Sequence, residues 1–325
     1  MHEPPGEAPP PTDEPLRLTL SPPVPPKTRS HVYIGLLVLT IATTTLAGAS
    51  QYYYFSLGFN AAQNAPAPDL ASAAYYLKGL WYSLAVLGIL GCHEMGHYLA
   101  CRYYGVDVTL PFFLPSPPIL PLATGTFGAF IRIRSRIPSR VALFDIGLAG
   151  PVAGFVIAVP VLFLGMALSG IEQLPSDFQG VELGEPLLFK LAEWAVWGTL
   201  PQGMEINMHP MVFAAWFGML ATALNLFPAG QLDGGHVAFA LLGRRSTQLT
   251  LATVIAAVGL TVYSTGWLVW TILLLLMIVF IGPEHPPTLD DEIPLGRGRL
   301  IMAVVGMVML ILCFTPAPLG DFPGN

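Results

Sequence analysis

The chain has 325 residues, of which 54% are hydrophobic and only 10% are charged, and its mean hydropathy is +0.63. An average soluble domain carries roughly 25% charged residues, so this composition excludes a soluble enzyme and indicates a membrane protein. The formal net charge of −6 offers no basic field for nucleic acid, which excludes a nucleic-acid binder. Three cysteines without CxxC spacing predict neither a disulfide framework nor a cysteine-ligated zinc module.

The two ends of the chain differ in composition from its middle. Residues 1–30 hold ten prolines among acidic and small residues, a composition that cannot bury a core and that predicts a disordered cytoplasmic tail. A plain spacer is the favoured role for this tail, and a PxxP ligand for a partner is the alternative. We expect residues 31–315 to form one membrane-embedded domain and residues 316–325 to form a short C-terminal tail.

Charge-free apolar runs predict about seven membrane crossings, because a spanning helix needs about 20 apolar residues. The predicted fold class is an all-α polytopic membrane protein with a small membrane-associated β-hairpin. A turn at Ser264-Thr265-Gly266 divides the uncharged run 246–283 into two spans, and an interfacial helix is predicted over 187–197. The predicted spans are 31–50, 75–101, 141–168, 209–227, the two halves of 246–283 and 300–314, with a short helix at 235–242.

The positions of the basic residues predict the orientation of the spans. A cytoplasmic N-terminus leaves only Lys78 and Lys190 on the outer side, whereas the opposite orientation would invert this ratio. No signal peptide or transit peptide is visible in the sequence, so we expect an integral protein of a prokaryotic cell (inner) membrane. The twelve residues placed on the cytoplasmic side are Arg17, Lys27, Arg29, Arg102, Arg132, Arg134, Arg136, Arg140, Arg244, Arg245, Arg297 and Arg299.

The second predicted span contains a motif with metal-ligand spacing. His93 and His97 are four residues apart, so they project from one face of a helix and can share one metal ion. Glu94 is rotated by roughly 100° and reaches a metal-bound water without being a ligand. Placing a carboxylate inside a membrane-spanning helix costs about 2.5–3.5 kcal/mol of insertion free energy. This cost favours a functional role for the motif over the alternative, in which the histidines make interhelical hydrogen bonds.

A catalytic zinc site requires a third protein ligand, and three downstream residues are candidates. His209 begins a span at the opposite face of the membrane, and His236 lies in the short helix that follows the fourth span. Asp233 stands out because Pro228 and the glycines around it break the helix, which allows irregular backbone to line a polar cavity. The predicted orientation also places Asp233 on the same side of the membrane as the two histidines.

At this point the sequence resembles the site-2 protease family of intramembrane zinc metalloproteases. The resemblance rests on HExxH in one span and on Asn-x-x-Pro-x-x-x-Leu-Asp-Gly, which runs from Asn225, in a later span. It implies that His93, His97 and Asp233 bind one Zn²⁺ per chain and that Glu94 is the general base. Asn225 then stabilises the oxyanion or holds the substrate backbone, and interhelical hydrogen bonding is its alternative role. The implied substrates are membrane proteins with a transmembrane segment.

The stretch between the two motifs, residues 103–140, has an unusual composition. The proline-rich run 111–118 cannot form a helix and is too apolar for water, and the alternation from Phe130 onward predicts a strand. This stretch resembles the branch of the family without a PDZ-like insert that is found in plastids and cyanobacteria. Its strand edge either captures an unwound substrate or anchors to lipid headgroups through its arginines.

Two other functions are compatible with the same side chains. A polytopic metal-ion transporter would use them as a transient permeation site, but it would need further acidic or histidine groups toward the outer face, and the spans contain almost none. A catalytically silent scaffold is disfavoured because every residue of both motifs is present. We therefore expect hydrolysis of peptide bonds in or near transmembrane segments.

Overall fold

A computed structural model describes residues 30–62, 65–117, 124–175, 178, 181–292 and 294–321. The proline-rich tail predicted at 1–30 lies outside the described residues except for its last residue, and so does the end of the proline run 111–118. Of the predicted C-terminal tail 316–325, the described part reaches residue 321.

The described residues are mostly helical, and a helix lies at each predicted span, but α1 extends to Ala62, beyond the predicted end of the first span at residue 50. Two helices are irregular inside their apolar runs. Helix α1 breaks at Gly58, which has φ 72°, and α3 contains two prolines, which cannot donate a backbone hydrogen bond. Single 3₁₀ turns at Gly243–Arg245 and Thr265–Trp267 separate α6 from α7 and α7 from α8. The helices are α1 Ser30–Ala62, α2 Ala73–Tyr103, α3 Arg140–Leu168, α4 Leu187–Trp197, α5 Pro210–Asn225, α6 Asp233–Leu242, α7 Ser246–Tyr263, α8 Leu268–Ile281 and α9 Arg297–Cys313.

Within the described residues, four helical stretches have the length and apolarity to cross a membrane. They are α1, α2, α3 and the stretch Asp233–Tyr263 that joins α6 to α7, and two shorter apolar helices lie at Pro210–Asn225 and Thr265–Ile281. The chain is therefore a mainly helical protein of membrane type. The interfacial helix predicted at 187–197 forms as α4 with these same bounds.

Three small antiparallel sheets accompany the helices. Strand β1 (Phe112–Pro115) pairs with β2 (Thr126–Phe130), while β3 (Gly170–Gln173) pairs with β5 (Met204–Asn207) and β4 (Val181–Leu183) pairs with β6 (Leu319–Asp321). The first pair is the predicted hairpin, but β2 ends at Phe130, where the sequence pattern placed the start of a strand. Beyond Phe130 the pairing continues only as an isolated bridge between Val108 and Ile133.

The hairpin of β1 and β2 is attached to the first two helices. Thr43 Oγ1 on α1 donates a hydrogen bond to the Gly125 carbonyl at 2.6 Å, and the Tyr82 hydroxyl on α2 donates to the Thr124 carbonyl at 2.8 Å. Gly125 has φ +71° and packs against the α1 backbone, where a β-carbon would collide. These contacts hold β2 beside the middle of α2.

The core of the helical assembly is the packing of α2 against α3. Gly96 on α2 faces the Ala149 carbonyl, and Gly150 and Gly154 on α3 face the α2 histidines. Small residues allow the two backbones to approach closely. As a result, α3 forms the wall behind the histidine face of α2.

Candidate metal centre

Three side chains of the described residues converge on one point. His93 and His97 project from α2, and Asp233 is the first residue of α6. The two Nε2 atoms are 3.1 Å apart, and each lies 3.2 Å from Asp233 Oδ2. Tetrahedral ligands of zinc stand about 3.3 Å apart when their bonds to the metal are about 2.0 Å long. The triangle therefore has the size that one metal ion requires.

The local sequence explains how Asp233 reaches the histidines. α5 ends at Asn225, and the chain turns irregularly before α6 begins at Asp233. Gly230 adopts φ +51°, which favours glycine, and a β-carbon at Gly234 would collide with the Leu226 carbonyl. Glycine at these positions allows the turn, which brings Asp233, at the start of α6, to the two histidines of α2.

The protonation of His97 is fixed by the neighbouring helix. Its Nδ1 lies 2.7 Å from the Ile146 carbonyl on α3, and a carbonyl can only accept, so Nδ1 carries the proton. The Nε2 lone pair of a neutral ring then points toward His93 and Asp233. A hydrogen bond from the other ring nitrogen to a backbone carbonyl is the usual support of a metal-ligating histidine.

The donor set suits zinc. Two imidazole nitrogens and one carboxylate oxygen are ligands that Zn²⁺ accepts, and three protein ligands leave a fourth position open. His93 and His97 are buried, being 5% and 6% exposed, and Gly150 provides the space for the His97 ring because a β-carbon there would overlap it. The residues present therefore fit a catalytic zinc ion.

Glu94 and Asn225 both line the cavity next to the three ligands. The cavity has a volume of about 390 Å³, and apart from Glu94, His93, Asn225 and Thr222 its walls are mainly apolar. Glu94 is 8% exposed, and its carboxylate interacts with the Ile131 backbone amide. The apolar wall comes from β2, α5 and α8, and it includes Phe127, Ala129, Phe130, Phe217, Leu224, Trp270, Leu273 and Met277.

The remaining predicted residues occupy different places. Asn225 Nδ2 lies 3.3 Å from His93 Nε2, so the structure brings Asn225 to the centre. His209 is not part of the centre: it caps the N-terminus of α5, buried among aromatic rings, where its Nδ1 accepts a hydrogen bond from the Met211 amide.

His236 lies one turn after Asp233, and its partner was not identified from the sequence. His236 Nδ1 is 2.7 Å from Nε2 of His285, which stacks on Phe239 and lies 2.7 Å through its Nδ1 from the Pro286 carbonyl. Because that carbonyl can only accept, the chain of donors runs from His236 through His285 to the loop. The two histidines are 49 positions apart in the chain, and no sequence signal indicates their contact.

A helical membrane fold with a buried His-His-Asp centre defines the class of membrane-embedded metallopeptidases. Comparison with known families agrees, because residues 81–265 match the family described as Peptidase family M50. The match covers more than half of the chain, and it includes both motifs. The chain belongs to peptidase family M50, and the resemblance to the site-2 proteases is confirmed.

Curated plant proteins are similar over most of this chain. One is named Probable zinc metalloprotease EGY2, chloroplastic, from Oryza sativa subsp. indica, and is 32% identical over 260 residues, covering 75% of this chain and 45% of the relative. Its counterpart from Arabidopsis thaliana is 32% identical over 277 residues (81% and 47%), and Probable zinc metalloprotease EGY1, chloroplastic, from the same plant, is 33% identical over 245 residues (73% and 42%).

The chain spans less than half the length of these relatives. Their names agree with the class of zinc metalloproteases that the sequence motifs indicate, and they give no support to a transporter. No solved structure gives a significant match.

Proposed function

We propose that this chain is an intramembrane zinc metalloprotease that hydrolyses peptide bonds in or near the transmembrane segments of membrane proteins. The observation that carries the proposal is the triangle of His93, His97 and Asp233, of which His93 lines an apolar cavity together with Glu94. An apolar cavity between helices accepts an apolar chain, and the acidic side chain beside the ligands supplies the base for hydrolysis.

His93, His97 and Asp233 are the proposed ligands of one Zn²⁺ ion. When bound, zinc lowers the pKa of a water molecule and polarises the substrate carbonyl. The role of the protein is to hold the three donor atoms 3.1–3.2 Å apart and to keep the surroundings dry. The packing of α3 on α2, with the Ile146 carbonyl on His97, fixes the donors before the ion arrives.

Glu94 is the proposed general base. It follows His93 directly without sharing the ligand face, and its side chain lines the cavity together with His93, beside the ligand triangle. There it takes a proton from the attacking water and later gives a proton to the leaving amine. Asn225 Nδ2, 3.3 Å from His93 Nε2, is placed to donate a hydrogen bond to the carbonyl oxygen as negative charge develops on it.

The free edge of β2 is the proposed docking site for the substrate backbone. A helical peptide bond is already hydrogen-bonded, so the substrate must unwind before water can attack it. In the two-stranded sheet of β1 and β2, one edge of β2 has no partner strand among the described residues, and it lines the cavity with Glu94. An added strand would pair with this edge through main-chain hydrogen bonds.

Anchoring of the same hairpin to lipid headgroups is the competing role, because Arg132, Arg134 and Arg136 are exposed and basic residues at an interface attract anionic lipid. Replacing all three by glutamine separates the two roles. If the arginines only anchor the hairpin to lipid, the variant cleaves substrates in neutral detergent at the wild-type rate and is slower only in anionic vesicles.

The finer topology also belongs to the proposal. We propose about seven crossings for residues 31–315, with the N-terminus on the cytoplasmic side and with residues 1–30 and 316–325 as tails. Twelve of fourteen basic residues on one side support this orientation. We propose the inner membrane of a prokaryote as the location, and an organellar membrane, as in the names of the plant relatives, is the competing assignment. Reporter fusions in the loop 65–72 and at the turn Gly243–Arg245 test the orientation.

The proteolytic activity is tested with purified protein in vesicles that contain labelled spanning peptides of about 20 apolar residues. Wild-type protein is expected to cut at least one peptide of such a set within its apolar segment, as read by mass spectrometry. Glu94→Gln is expected to keep zinc and to lose cleavage by about 10²–10⁴-fold. Cleavage by Glu94→Gln at the wild-type rate would refute the assignment of the base.

A further inference from the structure

Three side chains meet at one point, one on α3, one on α9 and one at the C-terminal cap of α2. Arg299 on α9 donates two hydrogen bonds to the Asp145 carboxylate on α3, from Nε at 2.8 Å and from Nη2 at 2.7 Å. The hydroxyl of Tyr104, the residue that caps α2, donates to the same carboxylate. We call Tyr104, Asp145 and Arg299 the three-helix clasp. A bidentate pair of this kind fixes geometry as well as charge.

The clasp is connected to the proposed metal centre through the next residue of α3. Asp145 is followed by Ile146, whose carbonyl accepts the hydrogen bond from His97 Nδ1 at 2.7 Å. One turn further along α3, Gly150 packs against the His97 ring. Any shift of α3 relative to α2 at Asp145 therefore moves both contacts that orient His97.

Helix α9 also packs near Asn225, which lies beside the proposed metal centre. Met309 on α9 packs in one cluster with Phe144 and Leu148 of α3 and with Leu226, and Leu226 follows Asn225 directly. Gly306 of α9 faces Leu148, and an added β-carbon there would lie 3.0 Å from Leu148 Cδ1. The family match ends at residue 265, so α9 lies outside the segment that it covers.

We propose that the Arg299–Asp145 pair is a positioning device that holds α3 in the register at which the Ile146 carbonyl and Gly150 orient His97 for zinc. The inference rests on the proposed function, because it concerns the same centre. It adds a role for α9, which lies outside both motifs. Arg299 and Asp145 touch no ligand atom; they act through the backbone of α3.

The effect is expected in metal binding more than in stability. The side chains of Arg299 and Asp145 are 33% and 29% exposed, and ion pairs open to solvent contribute little to stability. Metal ligands, in contrast, tolerate displacements of only about 0.2 Å. Loss of supporting hydrogen bonds behind a ligand weakens metal affinity by about 10–100-fold.

The test compares Arg299→Gln with Arg297→Gln, a matched control on the same turn of α9, because Arg297 is exposed and makes no ion pair among the described residues. Zinc release into a chelator, the visible spectrum of the Co²⁺-loaded protein and the melting temperature are measured for full-length protein in detergent. We expect Arg299→Gln to release zinc about 10–100-fold faster than Arg297→Gln and to alter the cobalt spectrum. Arg299→Lys, which retains one charged donor, should restore part of the difference.

Two results separate the failure of this inference from the failure of the proposed function. If wild-type protein binds no zinc, the proposed function fails together with the inference. If wild-type protein binds zinc and the two glutamine variants release it at the same rate, the clasp does not position His97. The inference would also be overturned if Arg299→Gln lowered the melting temperature together with zinc binding and Arg299→Lys restored neither. That result would indicate general destabilisation of the fold.

Discussion

A β-carbon at Gly150 tests whether the wall of α3 determines the position of the zinc ligands. An ideal β-carbon built at this position would overlap three atoms of the His97 imidazole ring, all far inside the roughly 3.5 Å of an optimal carbon contact. The ring cannot move freely, because its Nδ1 is hydrogen-bonded to the Ile146 carbonyl at 2.7 Å. Gly150→Ala must therefore displace the ring or separate α3 from α2.

Either response moves Nε2 of His97 by much more than the 0.2 Å or so that metal coordination tolerates. We expect zinc affinity to fall by at least about 10–100-fold, the range for lost support of a ligand. This fall corresponds to about 1.4–2.8 kcal/mol at 1.4 kcal/mol per tenfold change. The added methyl group should also lower the free energy of unfolding by about 1–3 kcal/mol, as overpacking of a core does.

Competition with a fluorescent chelator measures this affinity in detergent, and Gly88→Ala provides the matched control. Gly88 lies on α2 near the motif, and a β-carbon there would meet no atom within 4 Å, so Gly88→Ala should bind zinc as the wild type does. Wild-type zinc affinity in folded Gly150→Ala would mean that α3 does not fix the position of His97.

Two further predictions concern other parts of the molecule. Asn225→Ala should lower the cleavage rate by about 10²–10³-fold while zinc remains bound, as expected for a lost oxyanion donor; an unchanged rate with lower stability would instead indicate interhelical hydrogen bonding. Partial burial, together with Glu185 and Glu182 nearby, raises the pKa of Glu205, so ionisation of this carboxylate lowers the stability of the fold as the pH rises. Glu205→Gln should therefore raise the melting temperature at about pH 7 and have no effect below about pH 4. A gain that is the same at both pH values would contradict this assignment.

The sequence predicted best those features that depend on local periodicity. The spacing of His93 and His97 predicts a shared helix face, and the structure brings their Nε2 atoms within 3.1 Å. The turn between α7 and α8 follows from a charge-free run with breaking residues in its middle, and α4 has the bounds predicted for it. The choice of Asp233 over His209 as the third candidate depended on which face of the membrane each occupies, and the structure gathers Asp233 with the two histidines.

Other features could not be predicted because they depend on contacts between distant residues. Arg299, which donates to the Asp145 carboxylate, lies 154 positions away in the chain, and neither residue belongs to a motif. The His97 partner is a backbone carbonyl, which leaves no trace in side-chain identity. The start of β2 was predicted too late, because the strand begins with Thr126, Phe127 and Gly128, which show no alternation. Pairing with β1 overrides this local pattern.

Zinc stoichiometry shows whether the two separate motifs build one zinc site. Wild-type protein and Asp233→Ala are purified in detergent, shown to be folded by circular dichroism, and assayed for metal by mass spectrometry. We expect one tightly bound zinc ion per wild-type chain. Asp233→Ala should bind zinc weakly or not at all, because it lacks one of the three ligands. Folded wild-type protein without zinc, or zinc bound equally by both proteins, would contradict the assignment of one zinc site to both motifs.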